Sequence, residues 1–322
     1  MCIRDRSKPA LGVVIDALRR MEYRGYDSAG IALLDGSGGM AVEKKAGKLD
    51  NLVATVESAG LENYPATTGI GHTRWATHGR PTDINAHPHV DQLGKIAVVH
   101  NGIIENFAPL RAELEAQGVE FTSETDTETV THLLHAEYYG EGPNAGNFTA
   151  SVMAVINRLE GAFTLVIAHA DHPDMLMACR RSTPLVIGVG EHQMFLGSDV
   201  AAFIEHTREA VELGQDNVVT ITADGYTITD FEGNPVEGRP FTIDWDLEAA
   251  EKCGYDYFML KEIAEQPQAL ADTLRGHFVD GRIVLDERRL SDEDLRQIEK
   301  IFVVACGSCL LYTSDAADER SS

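Results

Sequence analysis

Apolar positions along the chain repeat with two periods, one helical and one strand-like. Leu11, Val14, Ile15, Leu18 and Met21 recur at helical spacing, with Pro9 in the first turn and a stop near Gly25. Residues 31–34, 40–44 and 96–100 read as strands broken by glycine-containing turns. Phe107, Leu110 and Leu114 mark a short helix closed by Gly118, and Asp126 stands at the start of another that carries Val130, Leu133 and Leu134. A helix through Val152, Val155, Ile156 and Leu159 leads into strands at 162–169, 175–178, 184–189 and 194–197. A further pair, 217–222 and 226–230, is joined by a turn at Asp224-Gly225. Helices placed among runs of strands, not alternating strictly with them, predict an α+β fold with largely antiparallel sheets and helices outside.

The texture changes at about residue 238. Helical patterns at 248–251, 260–273 and 292–300 surround one strand, 301–305, which runs into the small-residue turn Cys306-Gly307-Ser308, the way many α/β domains begin. The expected organisation is a first domain over 9–240, a helical linker over 241–285 and the start of a truncated α/β domain over 286–309. Residues 1–8 and 310–322 lack any apolar pattern and are expected to be non-native ends.

Composition narrows the function class. The chain has 322 residues, 43% of them hydrophobic, enough for one large or two smaller cores. A net charge of −24 argues against nucleic acid and anionic membrane surfaces, both of which require clustered lysine and arginine. The longest apolar runs, such as 165–168, are far below the roughly 18 residues of a membrane span. Five scattered cysteines fit a reducing compartment, and with no leader pattern the expected location is cytoplasmic.

Two segments carry the candidate chemistry: Gly71-His72-Thr73-Arg74-Trp75-Ala76-Thr77-His78-Gly79 and His100-Asn101-Gly102-Ile103-Ile104-Glu105-Asn106. An arginine can grip a carboxylate through a bidentate fork, and an asparagine beside a glycine N–H can hold a developing oxyanion. Together they point to a site that holds an amino acid and attacks a carbonyl on it. Each residue also has an ordinary reading: Arg74 as a surface ion-pair partner, Asp126 as a helix cap and Asn101-Gly102 as a hairpin turn. His87-Pro88-His89 lacks a third ligand at metal-site spacing, so no metal is expected. His72, His78 and His100 read as loop or core histidines.

With Glu22-Tyr23-Arg24-Gly25-Tyr26-Asp27-Ser28-Ala29-Gly30 added, the ordered motifs resemble the glutaminase domain of the class II glutamine amidotransferases. Ser123-Glu124-Thr125-Asp126-Thr127-Glu128, Ser198-Asp199 and Lys261-Glu262-Ile263-Ala264-Glu265-Gln266-Pro267 extend the likeness, which covers about residues 9 to 308. Within that class the chain most resembles the branch that aminates fructose 6-phosphate.

The resemblance implies a four-layer αββα sandwich of the Ntn-hydrolase type, followed by the start of a sugar-isomerase domain. It implies an enzyme that hydrolyses L-glutamine and needs no cofactor. In full-length relatives the ammonia aminates fructose 6-phosphate to glucosamine 6-phosphate, and the chains associate through their isomerase domains. By resemblance the nucleophile is an N-terminal cysteine, here Cys2 once Met1 is removed. Its own α-amine, with an unperturbed pKa of about 7.7–8.0, serves as base. Arg74 matches the residue that pairs with the α-carboxylate, with Thr77 and His78 in the same loop. Asp126 matches the acceptor of the α-ammonium, Asn101 and Gly102 the oxyanion hole, and Trp75 the loop that closes over glutamine. The family follows its cysteine with a glycine-rich apolar strand, whereas Ile3-Arg4-Asp5-Arg6 stands here. Arg4, Asp5 and Arg6 would be costly to bury, so this segment is expected to stand outside the fold. Two rivals are another class II amidotransferase, such as an amidophosphoribosyltransferase or asparagine synthetase, and an inert glutamine-binding fragment.

Overall fold

The computed structural model describes residues 2–5, 9–76, 79–243 and 255, helix 258–274 and short pieces up to residue 300. The chain divides into two compact units, Met1–Phe258 and Met259–Ser322.

In the first unit the elements run β1 (Cys2–Asp5), α1 (Ala10–Arg20), β2 (Ser28–Asp35), β3 (Met40–Ala46), α2 (Leu49–Ser58), β4 (Ala66–Arg74), β5 (His89–Val90) and β6 (Ile96–Ile104). Helices α3 (Phe107–Ala116), α4 (Asp126–Tyr139) and α5 (Phe148–Ile156) come next. The remaining strands are β7 (Gly161–His169), β8 (Leu176–Arg181), β9 (Val186–Gly190), β10 (Gln193–Gly197), β11 (Glu209–Glu212), β12 (Asn217–Thr222), β13 (Gly225–Asp230) and β14 (Arg239–Thr242). They form an eight-stranded sheet, β14-β11-β9-β10-β1-β4-β2-β3, and a six-stranded sheet, β13-β12-β8-β7-β6-β5. Every pairing in both is antiparallel.

Strand alternation divides the apolar residues into three layers. Ala32, Leu34, Ile70, Val99, Val166 and Leu196 pack between the two sheets. Ile31, Leu33 and Phe195 face the other way, against Val14 and Leu18 of α1 and Leu49 and Leu52 of α2. Ile96, Val98, Phe163 and Leu165 meet Val130, Leu133 and Val152 of α4 and α5. The result is the αββα sandwich.

The opening segment is a correction. Cys2–Asp5, expected outside the fold, is a central strand: Cys2 lies opposite Ile70 of β4 on one side and Leu196 of β10 on the other. A ladder is made of backbone N–H and C=O groups, which these residues supply whatever their side chains. Without them β4 and β10 would present two unpaired edges in the middle of the sheet.

The strand β14 at residues 239–242 pairs with β11, so the first unit continues past residue 240. In the second unit, α6 (Phe258–Leu274) overlaps the helix expected at 260–273, and β15 (Phe278–Val279) pairs with β16 (Arg282–Ile283). The predicted elements at 248–251 and 301–305, the turn at Cys306-Gly307-Ser308 and the tail lie outside the described residues.

Candidate active site

At one end of the sandwich the layer between the sheets becomes polar. The alternation that buries Ile70 there brings His72 and Arg74 to the same face of β4, and the one that buries Ala97 and Val99 does so for Asn101 on β6. Here the layer opens into a cavity of about 430 Å³. Leu18 and Met21, Thr164 and Val166, and Asp126 and Thr127 form other parts of its wall.

Arg74, Trp75, Asn101, Gly102 and Asp126 all line this one cavity. Thr77, His78 and the side chain of Cys2 lie outside the described residues; the Cys2 backbone sits opposite Ile70 and Leu196, both buried between the sheets.

Several ordinary readings give way. Arg74 is no surface residue: it is 4% exposed, at the end of β4. Burial pulls its pKa down, while the carboxylates of Asp27 and Asp126 favour the charged form. Its two terminal nitrogens reach the carbonyls of Arg80 and Gly79 only at 3.5 and 3.4 Å. Asn101-Gly102 is not a turn, because it continues the nine-residue β6, where Asn101 opposes Thr164 and Gly102 opposes Phe163. Gly102 has φ 123°, a backbone conformation that favours glycine.

Asp126 begins α4 but does not cap it. The cap is Thr125, whose side chain accepts from the Glu128 N–H. Asp126 Oδ2 instead accepts the Ile104 N–H at 2.8 Å, so β6 both presents Asn101 and fixes the acid. His100 Nδ1 lies 2.9 Å from Thr127 Oγ1 and 3.8 Å from Asp126 Oδ2. His87 and His89 are also engaged: His87 Nδ1 accepts the His100 N–H at 3.2 Å, and His89 Nε2 meets Thr125 Oγ1 at 2.9 Å.

The start of α4 has an acid-sensitive anchor in Glu128. Burial acts to raise its pKa, but His132 at 3.5 Å and hydrogen bonds from Ser123 and Thr122 overcome this and hold the carboxyl well below the ordinary range. A depressed folded-state pKa stabilises above the unfolded value, about 4.3, and that contribution is lost as pH falls below it. Glu128→Gln is therefore expected to cost about 1–3 kcal/mol at pH 7. Its melting-temperature deficit relative to the parent should shrink progressively as pH falls from about pH 5 to pH 3, without vanishing there. An equal deficit at both ends of that range would refute the assignment.

Two contributors have no separate signature in the sequence. Asp27 ties down the corner beyond β4: its N–H donates to the Arg74 carbonyl at 2.8 Å, and its Oδ2 accepts the Ala76 N–H at 2.5 Å. It lies inside the 22–30 motif, so only the resemblance could have drawn notice to it. His72 contacts Asn101 from the opposite sheet, 29 residues away in sequence. Trp75, 70% exposed, lies over Gly25, where an added Cβ would come within 2.6 Å of the indole.

Residues 72–205 match the glutamine amidotransferase domain family. The chain is 67% identical over 309 residues to the glutamine–fructose-6-phosphate aminotransferase [isomerizing] of Mycolicibacterium smegmatis, a match covering 94% of this chain and 49% of that protein. It is 58% identical to the protein of the same name from Streptomyces coelicolor, over 93% and 48%. Among solved structures, the glutamine phosphoribosylpyrophosphate amidotransferase from B. subtilis, complexed with ADP and GMP, shares the fold with a TM-score of 0.60. That match has 23% identity and covers 73% of this chain and 49% of that one.

Fold and sequence together define a class II glutamine amidotransferase domain of the Ntn-hydrolase type. Within that class the chain belongs with the isomerising glutamine–fructose-6-phosphate aminotransferases, and it spans about half the length of the curated relatives it matches.

Proposed function

We propose that this chain is the glutamine-hydrolysing part of a glutamine–fructose-6-phosphate aminotransferase. The observation that carries the reading is the convergence of Arg74, Asp126 and Asn101-Gly102 on one cavity between the sheets. Arg74 pairs with the α-carboxylate of L-glutamine, and Asp126 accepts its α-ammonium group. The side-chain amide then points along the inter-sheet layer toward Asn101 and Gly102.

With Met1 removed, the Cys2 thiol gives its proton to its own α-amine, and the sulfur attacks the side-chain carbonyl carbon. The carbonyl π electrons move to oxygen, where the Asn101 Nδ2–H and the Gly102 N–H stabilise the charge. On collapse the C–N bond breaks and nitrogen takes the proton back, leaving as ammonia from a γ-glutamyl thioester. Water hydrolyses that thioester to glutamate and restores the thiol. Trp75, Thr77 and His78 belong to the loop that covers the bound amino acid. No step requires a metal or an organic cofactor.

In the whole protein the ammonia would aminate fructose 6-phosphate to give glucosamine 6-phosphate, and the chain would work in the cytoplasm as a homo-oligomer. Among the described residues no helix is long and apolar enough to cross a membrane.

The test is glutamate release from L-glutamine by the chain lacking Met1, together with selective alkylation of Cys2 by a diazoketone analogue of glutamine. Hydrolysis, with labelling that glutamine protects against, is the expected result. Glutamine binding without either would identify an inert binding domain and overturn the proposal.

A further inference from the structure

His72 projects from β4 across the sandwich, and its Nε2 lies 2.7 Å from Oδ1 of Asn101 on β6 of the other sheet. An amide oxygen only accepts hydrogen bonds, so the imidazole must donate from Nε2. Its other nitrogen supports the same tautomer: Nδ1 is buried and has no hydrogen-bond partner among the described residues. A proton on Nδ1 would leave a buried donor unpaired and set the Nε2 lone pair against that of Oδ1. The ring is held in place by stacking on His87 at 4.6 Å, with 19° between planes. Lys44 Nζ fixes the turn that carries His87, donating to the carbonyls of Ile84, Ala86 and Pro88.

With its oxygen committed to His72, the Asn101 amide can only turn its nitrogen the other way. Nδ2 has no partner among the described residues, and Asn101 lines the cavity. We propose that His72 is a positioning residue, which holds the Asn101 carbonyl as the Nε2–H tautomer and thereby aims the amide nitrogen at the developing oxyanion. This rests on the reading of Asn101 as an oxyanion donor. Without His72 no described residue holds the amide oxygen, and a flipped amide would present that oxygen, which repels negative charge, to the reacting centre.

The experiment is a double-mutant cycle on glutamine hydrolysis by the full chain lacking Met1. Asn101→Ala is expected to lower kcat by about 10²–10³. His72→Phe should lower kcat by about 10- to 100-fold with KM within about threefold of the parent, as for a misplaced catalytic group. The double variant should be no worse than Asn101→Ala alone. His72→Gln, whose amide can donate from near the Nε2 position, should recover most of the loss. Additive losses, or a rise in KM in place of a fall in kcat, would overturn the positioning role. A harmless Asn101→Ala would instead remove the oxyanion reading beneath it, so the two failures are distinguishable. A second readout does not depend on turnover: the nitrogen resonances of 15N-histidine should identify His72 as Nε2–H, and an Nδ1–H tautomer overturns the inference.

Discussion

Gly102→Ala is expected to remove glutaminase activity and to lower stability by about 3–5 kcal/mol, a cost built from backbone strain and overpacking. A Cβ at this position would fall 2.0 Å from the Ala162 carbonyl oxygen and 2.9 Å from Phe163 Cα, both backbone atoms of the adjoining strand region. Rotamer changes offer no relief, because the obstacle is main chain. The φ of 123° is a second, independent cost for any L side chain. The strand must give way in one of two ways: β6 separates from β7, or Gly102 turns to a negative φ. Either movement displaces Asn101, one residue away, and with it the amide held by His72. For a unit of this size the melting temperature should fall by roughly 10 °C. Gly94→Ala is the control, since Gly94 has φ 63° but no atom within 4 Å of an added Cβ. It should cost only about 1–2 kcal/mol and leave hydrolysis intact. Equal effects from the two substitutions would show that the close approach at Gly102 is not decisive.

Gly102 also shows where sequence reasoning loses its hold. Asn-Gly is a strong local signal for a hairpin turn, but the dipeptide lies inside β6, whose nine-residue pairing with β7 overrides it. Arg74 and Asn101-Gly102 were legible as candidate chemistry from their residue types, and Asp126 only through the resemblance. Their location was not, since it depends on which face of which strand each occupies.

The missed elements have physical reasons. Strand β4 reads poorly because Gly69 and Gly71 interrupt its apolar alternation, and both glycines exist to admit α1. A Cβ on Gly71 would come within 2.4 Å of Val14 Cγ1, and one on Gly69 within 3.2 Å of the Ala10 Cβ. Strand β1 was set aside for its charged residues, although the ladder that holds it is backbone. Helix α2 went unread, with Leu49, Leu52 and Val56 as its only buried side chains. The α+β class, with antiparallel sheets and helices outside, was accessible from strand runs flanked by helical periods, and the four-layer arrangement only through the resemblance.

Arg74→Ala carries the other large expected effect: a rise in KM for L-glutamine of about 10²–10³, equivalent to roughly 3–4 kcal/mol, with kcat falling less than tenfold. The guanidinium lies where burial disfavours its charge and the carboxylates of Asp27 and Asp126 favour it, so a cation is held at a deliberate cost. An incoming α-carboxylate would complete that arrangement, which is why the loss should fall on binding. Removing the cation also strands two acids, so the variant should melt lower than the parent, and a KM effect alone would not separate a ligand clamp from a structural ion pair. The substrate can make that distinction. With 4-aminobutyramide, which keeps the amide and amine but lacks the carboxylate, the parent should bind as weakly as Arg74→Ala binds glutamine. The variant should then treat the two substrates almost alike, because the group that told them apart is gone. Arg74→Lys should recover only part of the loss, since a single ammonium cannot reproduce the two parallel hydrogen bonds of the guanidinium fork. If Arg74→Ala still prefers glutamine over the decarboxylated analogue by the parent's margin, the α-carboxylate is held elsewhere and Arg74 serves only to balance Asp27 and Asp126.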